Sequence, residues 1–469
     1  MFARRHSTAS LLALALAACS GAHEPGADGG QEIDSSLDAA PRADTGPSAC
    51  SVRAAPVCEP GPAVCGNGVA DSCPECHRCG DAGVCCTPRS EPCDGSDLGG
   101  ATCASVGYGG GTLACEPGCT FAVRGCDPCN HAPRIAACRR AGGSDGGASS
   151  LALATAADGT VALAWVTNGT TLHFARVDES LGLVGERVVG EPPCVGGQAA
   201  EVLLASADAG WFLSASTGER TNLFVLDAAG SVRAAPAPIV GVAAFDLAAR
   251  PGGPPLLVAG TFDSVEAILL DGAGGVVTRT PLFSPSFPAE RGSTVWVGDG
   301  FLSAVRAEND VAIARIEADG RLTRTTVVGD GETEAPQLAW TGTGARITWS
   351  DFTSTPTMFW QALDHAGQPT SPAVALGAPG ENFARAPIGA SGQDSLVLLP
   401  GYSGLVTFAE RVAVVRLGPT GAPLGSELRV DAQPSGHQSW ALVAHGGGAV
   451  VAWLDPTLGE GVVLARVDP

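Results

Sequence analysis

The chain has 469 residues, a formal net charge of −21 at pH 7, and no lysine: all 27 basic residues are arginine. That charge argues against a nucleic-acid partner, because phosphate recognition needs a basic face. Without an ε-amine the chain has no Schiff-base chemistry, no phosphate loop ending in Gly-Lys-Ser/Thr and no Ser-x-x-Lys hydrolase site.

A basic start, Arg4-Arg5-His6, precedes the apolar run Leu11 to Ala18. The run is too short for a spanning helix, which needs about 20 apolar residues. Basic-then-apolar is the layout of a secretory signal, expected over 1–18. Leu16-Ala17-Ala18-Cys19 resembles the lipobox of bacterial lipoproteins. The resemblance implies cleavage before Cys19, lipid on its thiol, and attachment to a membrane through that lipid. It also implies that Ser20 is compatible with outer-membrane sorting, with the protein in the periplasm or at the cell surface. Residues 19–49 are rich in Gly, Ala, Asp, Ser and Pro, bury too little to fold, and are expected as a tether.

Fifteen of the 17 cysteines fall between Cys50 and Cys138. They are Cys50, Cys58, Cys65, Cys73, Cys76, Cys79, Cys85, Cys86, Cys93, Cys103, Cys115, Cys119, Cys126, Cys129 and Cys138, and Cys194 makes sixteen besides Cys19. An even set in an exported chain reads as a disulfide framework, with connectivity open. Residues 50–138 have too few apolar side chains for a core of their own, so covalent closure is expected to hold them. Zinc is the rival reading, since Cys73-Pro-Glu-Cys76, Cys79 and Cys126-Asp-Pro-Cys129 have ligand-like spacing near His77 and His131. An oxidising compartment and the many other cysteines favour disulfides, and no metal or other cofactor is expected.

Two stretches carry a resemblance. Cys65-Gly66-Asn67-Gly68-Val69 with the Cys73 to Cys86 cluster, and Glu91-Pro92-Cys93-Asp94-Gly95-Ser96-Asp97 onward through Cys103, Cys115, Cys119 and Cys126, resemble the cysteine-rich repeats of myxobacterial secreted and surface proteins. In the first, Asp71-Ser72-Cys73-Pro74-Glu75-Cys76 stands where the family has Glu-Cys-Asp-Asp-Gly, so bridges are not equated. The resemblance implies a location and a disulfide module, with no reaction attached.

A Gly-rich linker is expected over 139–148. Beyond it Gly159, Gly210, Gly253, Gly300, Gly344, Gly392 and Gly447 recur 43 to 55 residues apart. Each is followed by a short apolar run such as Val161-Ala162-Leu163-Ala164-Trp165 or Ala449-Val450-Val451-Ala452-Trp453, which reads as a strand. A third strand ends at Asp178, Asp227, Asp271, Glu317, Asp364, Gly418 and Asp468, and six units add a fourth run. Four strands per unit predict an all-β, seven-unit β-propeller over 149–469. A β-sandwich pair or a six-bladed ring also fits. The seventh unit lacks its fourth strand, and Pro133 to Cys138 is the upstream stretch proposed to supply it.

Little in the repeats points to catalysis. The acids at the third-strand ends suggest calcium, but Asp before a Gly turn ordinarily binds its own backbone. Ser206-Ala207-Asp208-Ala209-Gly210-Trp211 faintly resembles the Asp-box turn of sialidase propellers, yet only Tyr108 and Tyr402 exist to serve as a tyrosine nucleophile. Gly142-Gly143-Ser144-Asp145-Gly146 matches a nucleophile elbow without its strand-to-helix context. His173 and His365 form no zinc motif, and Trp296, Trp340, Trp360 and Trp440 are read as core. The expected protein is a non-catalytic, monomeric binding or scaffold protein of the cell envelope, taking a protein or glycan on the propeller rim. The alternative is a propeller hydrolase of polysaccharide.

Overall fold

The computed structural model describes the backbone of Pro74–Cys79 and Gly83–Pro88 and most of the chain from Cys93 to Asp468. Outside the described residues, within that span, lie 107, 109, 117–119, 128–134, 142–147, 170, 192–200, 218–219, 262–263, 285–291, 308–309, 330–332, 352–356, 377–384, 402–410, 432–438 and 456–460. The chain divides into two units, Met1–Gly61 and Pro62–Pro469. All that follows concerns the second.

Seven antiparallel sheets of consecutive strands, here called A to D in each blade, make a β-propeller. Blade 1 is Ala148–Thr155, Val161–Thr167, Thr171–Val177 and Leu183–Gly190. The A strands of blades 2 to 6 are Glu201–Ala207, Ala243–Arg250, Gly292–Trp296, Thr333–Trp340 and Ile388–Ser391. Each A strand runs beside the A strand of the next blade, and that of blade 7, Trp440–His445, runs beside that of blade 1, so the ring closes. All seven apolar runs read from the sequence are B strands, and the seven glycines sit at the A–B turns.

Blade 7 takes its D strand from upstream. Ile135–Ala141 pairs with the last strand, Gly461–Val467, through Ala465↔Cys138 and Val462↔Ala141. The proposed closure therefore holds, shifted toward the C-terminus: three strand residues lie within the stretch expected as linker. Register explains the length, since Gly461–Val467 offers a full strand of open backbone groups that a shorter partner would leave unpaired.

Alternate side chains of each strand point to opposite faces of its blade, and both faces are covered by neighbouring blades. B strands are accordingly almost continuously apolar and buried, as in Val161–Val166 and Leu396–Leu399. Seven apolar clusters result, one at every junction between blades. The junction of blades 6 and 7 also receives Cys103, Tyr108, Leu113 and Cys126 from the cysteine module. Blade 6 has a D strand of only two residues, Leu428–Arg429, and the module supplies apolar cover there.

Disulfides join Cys93 to Cys115 and Cys103 to Cys126, and Cys138 in the closing strand is also disulfide-bonded. The bond to Cys103 removes Cys126 from the zinc-like Cys126-Asp-Pro-Cys129 pair. The other cysteines, Cys19 and Cys194 among them, lie outside the described side chains. No helix among the described residues is long and apolar enough to cross a membrane.

Candidate functional site

The two faces of the ring differ in the chain they carry. A–B and C–D connections begin with tight turns; B–C and D–A connections include the long segments 191–200, 284–291, 377–387, 402–410 and 430–439. Variable loops on a rigid scaffold are where propellers carry function. A strands begin on that face, and three of them, or the residues just before, bring charges into the channel mouth.

Arg385, entering blade 6, reaches Glu201 at the start of blade 2, with Nη1 to Oε1 at 3.5 Å. These blades are not neighbours, so the pair crosses the central channel. Asp246 of blade 3 lies close enough to feel both charges. Burial pushes its carboxyl up to about 6; the Thr294 and Leu247 N–H groups and Arg385 pull it down, and Glu201 raises it. Arg385 keeps one buried donor, Nε, without a partner.

These polar groups also hold the ring together. An innermost strand has one edge with no ladder partner, so its N–H and C=O groups must be satisfied otherwise. Here a side chain reaches across every junction. Ser150 Oγ accepts from Val202 N at 3.2 Å, Ser216 Oγ from Ala244 N at 2.9 Å, and Ser293 Oγ from Leu338 N at 3.0 Å. Asp246 accepts from Thr294 N between blades 3 and 4. Thr348 Oγ1 donates to Ala386 O at 2.9 Å, Trp440 Nε1 to Arg385 O at 2.8 Å, and Thr155 Oγ1 to Ala444 O at 3.3 Å. Asp246 is thus one of seven latches, and the one that carries charge.

The acids at the third-strand ends behave as turn residues. Oδ1 of Asp178, Asp227, Asp271 and Asp364 each accepts the N–H groups two and four residues on, at 2.7 to 2.9 Å. Side-chain and backbone donors at Ser180 and Gly182 hold Asp178 below the usual carboxylate range. Among the described residues no three His, Cys, Asp or Glu side chains group as a metal site.

His173 stacks on Trp165 with centroids 5.0 Å apart and shares a hydrogen bond with Thr167 Oγ1 at 2.9 Å. Burial lowers its pKa, and Glu186 at 3.6 Å opposes that. It is a packed strand residue, while His365 sits exposed in a turn. Of the four tryptophans read as core, Trp360 is fully buried and Trp296, Trp340 and Trp440 are half-buried. Tyr108 is buried against blades 6 and 7. Tyr402 and Gly142 to Gly146 lie outside the described residues.

Sequence reasoning missed Glu201, Asp246 and Arg385. The available signal was Asp246 alone within the apolar run Val242 to Ala249.

The class defined by this architecture is an all-β, seven-bladed propeller with a disulfide-bearing N-terminal region. No protein-family model and no curated protein sequence matches the chain. Among solved structures it is similar to the propeller of Dos1, at 10% identity and TM-score 0.43, covering 72% of this chain and 95% of that one. It is also similar to a protein of unknown function from Bacteroides caccae, at 13% identity and TM-score 0.38, covering 58% and 93%.

Proposed function

We propose that this chain is a non-catalytic cell-envelope lipoprotein, held by lipid on Cys19, that presents the loop face of its propeller to a protein or glycan. The observation that carries the reading is how the channel charges are used. Asp246 is spent on the Thr294 N–H and Glu201 on Arg385, so the groups that meet there serve the ring. A hydrolase acting on envelope or prey polysaccharide is the second reading, favoured by Asp246: a carboxyl with a pKa near 6 can deliver a proton close to neutrality.

The test is a pull-down from glycan and envelope fractions with the full chain, assayed in parallel for release of reducing sugar. Saturable binding without turnover supports the first reading. Turnover abolished by Asp246→Asn overturns it and establishes the second. Attachment is tested by metabolic labelling with palmitate: label lost in Cys19→Ser supports lipidation, and label retained refutes it.

A further inference from the structure

A cleft of about 520 Å³ opens on the opposite face, that of the tight turns, and spans blades 1 to 3. Its volume lies within the usual range for small-molecule sites. Among its lining residues are Asp158, Arg176, Asp208, Trp211 and Arg250.

The repeats show what is unusual there. Blades 1, 4, 6 and 7 carry an arginine two residues before the end of the aligned third-strand motif: Arg176, Arg315, Arg416 and Arg466. In three blades the guanidinium is spent. Arg315 meets Asp299 at 2.6 Å and the carbonyls of Phe301 and Ile316. Arg416 meets Asp394 at 2.8 Å, and Arg466 donates to Glu179 O at 2.7 Å. The acidic partner comes from the A–B turn or the start of the B strand, brought opposite by strand pairing.

Blade 1 departs from the pattern. Its turn acid, Asp158, accepts Thr160 N at 2.8 Å and feels the charge of Arg176, but Arg176 makes no hydrogen bond to a described side chain and its Nε has no partner. Blade 2 breaks it the other way: Asp208 occupies the turn, but the third strand carries buried Val225 where the arginine would stand. No described residue pairs with the exposed Asp208 carboxylate. A cation with open hydrogen-bond donors and an anion with no described partner therefore line one cleft.

The chemistry narrows the ligand. A polyanion would face Asp158 and Asp208, and a metal cation would face Arg176 and Arg250. A stacked sugar would need an aromatic face, and Trp211 is 2% exposed. What remains complementary is a ligand carrying both charges. We propose that the cleft binds a small zwitterion, a free amino acid or short peptide, with its carboxylate on Arg176 and its ammonium on Asp208. A guanidinium fork suits a carboxylate. This inference does not depend on the loop-face reading, because it concerns the other face of the ring.

The test is calorimetric titration of the full chain with glycylglycine, N-acetyl-glycylglycine and glycylglycine amide. Millimolar binding is expected for glycylglycine, weakened about fivefold when either terminus is blocked, the most an exposed charge pair ordinarily gives. Arg176→Gln should weaken glycylglycine similarly and leave the amide unchanged; Asp208→Asn should do the reverse, leaving the acetylated peptide unchanged. Asp208 is exposed, so its variant keeps the test readable if Arg176→Gln fails to fold. Arg416→Gln, at the spent equivalent position, should bind normally. Equal affinity for all three peptides, wild-type binding by both variants, or no saturation at high millimolar peptide would each overturn the proposal. None of these outcomes bears on pull-down by the loop face.

Discussion

Replacing Leu181 tests how the ring is closed. In blades 2 to 6 the C–D turn places a glycine in the left-handed region: Gly230, Gly274, Gly320, Gly367 and Gly421, with φ from 80° to 88°. At several of these an added Cβ would strike the preceding blade, Phe174 at Gly230 and Trp360 at Gly421. Blade 1 has Leu181 instead, at φ 63° and 1% exposed. Its side chain belongs to the apolar cluster shared with Val450, Leu454 and Leu464 of blade 7. Two terms oppose each other. Truncating a buried leucine costs about 2–5 kcal/mol, while a non-glycine residue in the left-handed region carries about 1–2 kcal/mol of strain. Leu181→Ala loses the packing and keeps the strain; Leu181→Gly loses the packing and releases it. The glycine variant should therefore be as stable as the alanine variant or more so, against the usual disadvantage of glycine of about 0.5–1 kcal/mol. Urea denaturation with a shared m-value reads the order directly. A glycine variant less stable than the alanine variant by about 1 kcal/mol would refute the strain argument, and two variants as stable as the parent would refute the packing argument.

Asp246 predicts a pH dependence. Its folded pKa is raised above the unfolded value, so its contribution is fully present below pH 3.8 and is lost as pH rises through about 6. A shift of about two units corresponds to ~3 kcal/mol. Asp246→Asn, which keeps an acceptor for the Thr294 N–H, should flatten the fall in melting temperature between pH 4 and 7; an unchanged slope would place the titration elsewhere. The Cys103 to Cys126 disulfide closes a separation of 23 residues, worth about 3 kcal/mol. Because these cysteines are buried between blades 6 and 7, replacing both by alanine should lower the melt of the propeller itself. A propeller transition unmoved by the change would show that the module folds apart from it.

Blade number and strand order were legible because each repeat carries its own turn chemistry. Glycine at every A–B turn, an apolar B strand and, in blades 1 to 5, an acid before the C–D turn are local features within 43 to 55 residues. The channel cluster was not legible, since Glu201 and Arg385 are 184 residues apart and meet only when the ring closes. The latches were hidden for another reason: Ser150, Ser216, Ser293 and Thr348 resemble any polar strand residue until the unpaired edge of the neighbouring A strand is known. The cysteine module was expected to be held by covalent closure, and spacing could not reveal that Tyr108 and Leu113 would be lent to blades 6 and 7.

The closing junction gathers more devices than the others, and the topology accounts for it. The linker from Ala141 to Ala148 joins the donated D strand of blade 7 to blade 1, while the other three strands of blade 7 follow blade 6, so blade 7 is assembled from two distant parts of the chain. Retention falls to the ladder between Gly461–Val467 and Ile135–Ala141, to Thr155 on the Ala444 carbonyl, to Arg466 on the Glu179 carbonyl and to Leu181 in the apolar seam. Arg466 fits this account. Its own A–B turn is Gly446-Gly447 and offers no acid, so the guanidinium that braces a single blade elsewhere ties blade 7 to blade 1 here.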